Sequence, residues 1–198
     1  MDRWDGAIAE QAGEIVLIDR LIQRLRRRSA LRRLSTIPAD DVLFVCHGNL
    51  CRSPFAEGVF RGFLSRSEHG SFTTHSAGLL PPGRTPPRDA VNAARSFGVD
   101  LASHRSRMIS PEIVQRATLI LVMTVEQQTM IRQRFGRLAA PILLLGDLDP
   151  FPNQDRDIVD PWSQPPEIFE TCYHRIDRCV HELASAVTLR PFGASSRP

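Results

Sequence analysis

The chain has 198 residues, enough for one well-buried α/β domain with a segment to spare, and four cysteines, too few for a disulfide scaffold. Its formal charge is only +3, carried by arginine without a single lysine, which admits an anionic substrate and argues against a nucleic-acid binder. No apolar run approaches the ~18 residues of a membrane span and the N-terminus has no signal-peptide core, so a soluble, unexported, cytoplasmic protein is expected.

Residues 1–39 read as a basic amphipathic helical extension. Ile15, Ile18, Ile22 and Leu25 recur at helical spacing, and Arg20, Arg24, Arg26, Arg27, Arg28, Arg32 and Arg33 crowd its second half. Such a helix either lies solvated on the domain or touches a membrane surface or an acidic partner. The next stretch, V-L-F-V-C-H-G-N-L-C-R-S-P from Val42 to Pro54, organises the rest. Its first four residues suit a buried strand, and Pro54 suits the first turn of a helix. A phosphate-sized loop lies between them.

Helix is predicted over 55–64, with Phe55, Val59, Phe60, Phe63 and Leu64 on its core face, and strand over 72–76. A proline-rich loop over 83–88 leads to a helix at 90–97. A buried strand at 118–123, a helix at 125–135 and an apolar strand at 141–145 follow. Residues 146–166 form a long loop with two Asp-Pro pairs, Asp149-Pro150 and Asp160-Pro161, and long loops of this kind are often functional. A last helix, 167–183, carries Ile168, Phe169, Cys172, Ile176, Cys179, Val180 and Leu183 at helical spacing, which assigns both cysteines to an apolar face. Residues 190–198 read as a loose tail. Four strands alternating with helices imply a parallel sheet, with the site at the C-terminal end of the first strand.

The 46–53 loop carries the chemistry. Cys46 and Arg52 bracket five residues, so a tight turn brings one sulfur and one guanidinium onto the same anion. Gly48 allows close approach or positive φ, Asn49 tolerates the left-handed region, and inward N–H groups make an anion nest in front of a helix N-terminus. That setting favours a nucleophilic thiolate, to which Ser53 can add a hydroxyl hydrogen bond, while the planar Arg52 fork suits phosphoryl oxygens. Displacement at phosphorus also benefits from a proton donor, and Asp149 and Asp160 compete for that role.

The string C-x-G-N-x-C-R-S-P at a strand-to-helix junction resembles the low-molecular-weight protein tyrosine phosphatase family. The resemblance implies a phosphatase domain over 40–189 and a strand order of 2-1-3-4. It implies Cys46 as nucleophile and Arg52 as the transition-state clamp. His47, Gly48, Asn49, Leu50, Cys51 and Ser53 would form the substrate loop. Asp160-Pro161-Trp162 resembles the family's acid motif, making Asp160 the general acid and putting Trp162 at the mouth. Ser76, in His75-Ser76-Ala77-Gly78, and His104, in A-S-H-R-S-R, would support the loop from behind. No metal or cofactor is implied, and the partners are phosphotyrosine proteins rather than nucleic acid. The chain departs from the family in having no aromatic in 79–83 and in carrying Met123-Thr124 and Gln127 where a Met-Asp and a later Asn are usual.

Leu50 precedes the loop's second cysteine, where an apolar residue accompanies tyrosine phosphatases and threonine accompanies phosphoarginine phosphatases; hydrolysis of phosphoarginine or another phosphomonoester is the alternative. Arsenate reductases share the loop, but they need relay cysteines, which are missing between Cys51 and Cys172. A non-catalytic phosphate-binding module would need neither Cys46 nor Asp160.

Overall fold

The structure, a computed structural model, describes residues 3–65, 72–153 and 155–188, with side chains from Ile18 onward. A parallel sheet of four strands has the order β2-β1-β3-β4, as expected. The strands are β1 (Asp41–Cys46), β2 (Thr73–Gly78), β3 (Leu119–Val122) and β4 (Ile142–Leu144). β1 pairs with β2 from Asp41↔Thr73 to Cys46↔Gly78 and with β3 from Val42↔Leu119 to Val45↔Val122. Paired on both edges, β1 is buried on both faces from Val42 onward, which explains its unbroken apolar run.

Alternation along β1 feeds two cores. Val42, Phe44 and Cys46 face one that contains Phe55 and Phe60 of α2 (Arg52–Leu64) and Tyr173, Ile176 and Val180 of α6 (Pro166–Thr188). Leu43 and Val45 face the other, with Val114 of α4 (Pro111–Arg116) and Ile131 of α5 (Val125–Phe135). The chain leaves β1 toward β2 and returns across it to β3, so a crevice opens at the C-terminal end of β1, where the Cys46 loop stands.

Element boundaries differ where side chains override local pattern. α2 begins at Arg52, so the loop's arginine already belongs to the first helical turn. β2 runs on to Gly78, and α3 (Arg88–Arg95) starts and stops before residues 90–97. α6 continues beyond Leu183 because Ala184 and Val187 extend its buried stripe. Cys172 and Cys179 sit on that stripe as free, buried thiols; burial pushes Cys172 up to about 12 and raises Cys179 as well. α4 was not anticipated, being too short to show a period, although Ser110-Pro111 is a legible start: Ser110 caps it, accepting from the Ile113 N–H at 3.4 Å. A short 3₁₀ turn, Leu145–Leu148, also ends the fourth strand early. The tail expected over 190–198 lies outside the described residues.

The extension is one long helix, α1 (Arg3–Leu34), that packs on the 3₁₀ turn and α6. The apolar stripe is not its docked face. Ala30 and Leu34 are buried and Gln23 donates to the carbonyls of Gly146 and Asp149 at 3.4 and 3.0 Å, whereas Ile18, Ile22 and Leu25 of the apolar stripe face solvent. Ile15 lies outside the residues whose side chains are described.

Candidate active site

β1 delivers Cys46 to the end of the sheet, and the chain turns through 47–51 into α2. The turn depends on Asn49, whose φ of 53° is left-handed. Gly48 does not have the positive φ allowed for it; a Cβ there would meet Arg84 Nη2 at 3.4 Å and Leu50 at 3.5 Å, which are ordinary contacts. The glycine required by close approach is Gly78. A Cβ at Gly78 would lie 2.7 Å from the Asn49 nitrogen and 2.8 Å from the Gly48 carbonyl carbon, so any side chain would push the loop off β2. Leu79 N–H then donates to the His47 carbonyl at 2.8 Å and fixes the loop's first half.

Two donors face the buried Cys46 sulfur: the Asn49 N–H at 3.2 Å and the Ser53 hydroxyl at 3.1 Å. Behind them runs a chain of side chains. Asn49 Nδ2 donates to Ser53 Oγ and Ser76 Oγ, both at 2.9 Å, and the Ser76 hydroxyl donates to Glu57 at 2.6 Å. Glu57 is in turn paired with Arg61 and lies 3.7 Å from Arg107 Nη2. Asn49 Oδ1 accepts from the Arg107 N–H and its carbonyl meets His104 Nε2, each at 2.8 Å. This second contact requires a proton on Nε2, which the neutral ring supplies as its Nε2–H tautomer. Burial lowers the His104 pKa below its ordinary 6.5, in keeping with that form.

Ser76 and His104 thus stand behind the loop, both acting through Asn49. Asn49 and Ser53, expected among the substrate contacts, are fully buried beneath it: the Ser53 hydroxyl reaches the sulfur and the Asn49 amide reaches the support rather than the cleft. His47, Gly48, Leu50 and Cys51 do line the cleft with Cys46 and Arg52. The buried Cys51 thiol is shifted well upward, chiefly by desolvation and then by the charges of Cys46 and Asp160. Its carbonyl, at the N-cap of α2, accepts from Tyr173 OH at 3.3 Å, and Tyr173 stacks on Phe55 with ring centroids 3.9 Å apart.

Asp160 and Trp162 close the cleft from the long loop, and Trp162 is 48% exposed there. Arg52, almost fully buried, joins the two segments: one guanidinium nitrogen donates to the Ile158 carbonyl at 3.0 Å, and the other pairs with the Asp160 carboxylate. Asp149 is elsewhere. Fully buried, it accepts from Arg175 Nε at 3.1 Å and from Arg178 at 2.7 and 2.8 Å, and Arg175 reaches on to the carbonyls of Asp157 and Asp155 at 2.7 and 2.6 Å. Asp149 therefore ties the base of the loop to α6, while Asp160 reaches the crevice.

Sequence reasoning missed Glu57, Arg84, Leu80 and Tyr173. Glu57 is a carboxylate on an otherwise apolar helix face, and Tyr173, the chain's lone tyrosine, is four residues from Phe169 on the α6 stripe; both were visible signals. Leu80 and Arg84 stand in the cleft wall where no aromatic was found, and nothing in their spacing announced it.

Comparison with known proteins places this geometry in context. Residues 41–190 match the family described as low molecular weight phosphotyrosine protein phosphatase. The chain is 32% identical over 140 residues to a probable low molecular weight protein-tyrosine-phosphatase, EpsP, of Ralstonia nicotianae, covering 70% of this chain and 90% of that protein. It is 30% identical over 146 residues to the protein-arginine-phosphatase of Bacillus subtilis, covering 73% and 94%. Among solved structures, the Erwinia amylovora tyrosine phosphatase AmsI superposes with a TM-score of 0.68 at 25% identity, over 77% of this chain and 95% of that one. A mutant of YwlE from Bacillus subtilis gives 0.65 at 27%, over 73% and 96%.

Proposed function

The chain belongs to the low molecular weight phosphotyrosine protein phosphatase family, a family of cysteine-dependent phosphatases, and from that premise we propose that it hydrolyses phosphotyrosine in proteins through a phosphocysteine on Cys46. The observation that carries the reading is the meeting, in one cleft, of a sulfur held by two donors, the arginine of the same loop and a carboxylate from the opposite segment.

The cycle has two displacements. Cys46 sulfur attacks phosphorus and the bond from phosphorus to the tyrosyl oxygen breaks, with Asp160 giving its proton to the leaving oxygen. An incoming phosphate takes over the Arg52 fork, which frees Asp160 from the ion pair to carry that proton. Asp160, now a base, then draws a proton from water as the water oxygen displaces sulfur and releases phosphate. Arg52 and the loop N–H groups hold the equatorial oxygens in both transition states. Ser53 acts on the sulfur, and Asn49 keeps the loop in shape.

Substrate choice rests on the walls. Leu50 and Leu80 offer an apolar surface and Trp162 an aromatic one at the mouth, which suits a phenyl ring. Arg84 adds a further cation to the cleft wall, which opposes a cationic guanidinium more than a neutral phenyl ring and so favours tyrosine over arginine. Free, buried thiols around a catalytic sulfur suit a reducing compartment, and we assign the protein to the cytoplasm on that basis. Parallel assays on phosphotyrosine, phosphoserine and phosphoarginine test the reading. Phosphotyrosine is expected to be the best substrate. Phosphoarginine as the best would overturn it, whereas a rise in phosphoarginine turnover in Leu50→Thr would support the assignment of Leu50.

A further inference from the structure

α1 uses one side to join the domain and keeps a second apolar side. Gln23, Arg27, Ala30 and Leu34 recur at i, i+4, i+7 and i+11 and form the docked stripe, with Arg27 paired to Glu182 of α6. Ile18, Leu21, Ile22 and Leu25 follow the same rhythm on the opposite side, exposed by 56, 58, 37 and 56%. At 100° per residue the two stripes are about half a turn apart. A helix that had merely failed to bury its apolar face would lack a docked one; this helix has its docking contacts and still, among its described residues, presents four large aliphatic side chains to water.

The border of that stripe is cationic. Arg20, Arg24 and Arg28 are exposed along one edge, and Arg32 and Arg33 continue the stripe toward the C-terminus of the helix, also exposed. Asp19 is the one acidic residue between Ile18 and Leu34. A second copy of the chain laid against this face would bring the same arginine rows together, and repulsion opposes that arrangement. An apolar strip with arginines at its edges is complementary instead to a surface whose interior is hydrocarbon and whose border is negative. The aliphatic side chains enter the acyl boundary while the arginine stems lie along it and their guanidinium heads meet anionic headgroups.

We propose that the exposed face of α1, from Ile18 to Arg33, docks the protein on an anionic lipid surface. This stands independently of the catalytic reading, since no residue of the cleft takes part.

The full chain should be sedimented with vesicles of phosphatidylcholine alone and of phosphatidylcholine with phosphatidylserine, at low and high salt. The double variant Ile22→Glu, Leu25→Glu and the double variant Arg24→Gln, Arg28→Gln go alongside. The parent is expected to sediment with the phosphatidylserine vesicles only, and to be released by salt. The glutamate variant should stay in solution, and each arginine removed should weaken partitioning roughly fivefold. All four substituted positions are exposed, so turnover of an aryl phosphate should match the parent, which separates loss of docking from loss of fold or of catalysis. Equal sedimentation with both vesicle types, or retention of binding in the glutamate variant, would overturn the proposal. A lipid-free dimer dissociated by the same glutamates would overturn it in favour of a second copy as the occupant.

Discussion

Asn49 is the residue whose removal should unmake the site without touching its reacting atoms. Its side chain makes three hydrogen bonds in full burial, to Ser53, Ser76 and the Arg107 N–H. Each contributes roughly 1 kcal/mol net, and the Arg107 N–H would be left unsatisfied. Alanine at a φ of 53° adds ~1 kcal/mol of backbone strain that asparagine largely avoids. Asn49→Ala should therefore cost about 3–4 kcal/mol. With a urea slope of ~2 kcal/mol/M, that lowers the unfolding midpoint by roughly 1.5–2 M. Asn49→Gly loses the same bonds without the strain, so it should fall between Ala and the parent, about 1 kcal/mol above Ala. Because the Asn49 side chain also orients Ser53 and holds in place the backbone N–H that faces the sulfur, kcat on an aryl phosphate should drop more than KM rises. Urea unfolding and steady-state kinetics on the three proteins check both parts. Midpoints of both variants within experimental error of the parent would refute the network as the loop's support.

Asp160→Asn should slow substrates with poor leaving groups by roughly 10²–10⁴ and nitrophenyl phosphate by less, since only the former need the proton. Asp149→Asn should instead destabilise by about 3–5 kcal/mol, because two arginines lose their buried counter-charge, and it should leave the leaving-group dependence unchanged; denaturation and a leaving-group series separate the two. His104 has a folded-state pKa below its ordinary 6.5, so as pH falls below that value the unfolded chain takes up the proton first. Its contribution to stability is full at neutral pH and is lost as pH drops toward the folded value. His104→Gln, whose amide can donate to the Asn49 carbonyl without titrating, should flatten the acid limb of stability against pH, read as urea midpoints across the range. An unchanged limb would remove His104 from the account.

How much was legible follows from where the physical information sits. The loop was readable because strand, glycine, cysteine, arginine and proline meet at short range, and so was the Asp160-Pro161-Trp162 stretch. The sheet order followed from resemblance, not from periodicity. What escaped depends on long-range pairing. Glu57 stands out on an apolar face of α2, but its role is hidden until β2 brings Ser76 to 2.6 Å. Asp149 and Asp160 share the same dipeptide; the following tryptophan favours Asp160 by resemblance, but the physical reason they differ is long-range, since Arg175 and Arg178 claim one and Arg52 the other. Hydropathy identified the apolar stripe of α1, but its docked face is half polar: Gln23 and Arg27 pair with groups of the 3₁₀ turn and α6 that no local pattern reveals.

The central claim is that phosphate passes through Cys46. The direct measurement is to mix the protein with an aryl phosphate, quench with denaturant within the first turnover and locate the phosphoryl group by peptide mass spectrometry. The parent should carry it on Cys46, and Asp160→Asn should hold it longer because its breakdown lacks a base. Cys46→Ser should turn over orders of magnitude more slowly. A phosphoryl group found on another residue, or a Cys46→Ser protein that hydrolyses the substrate at the parent rate, would contradict it.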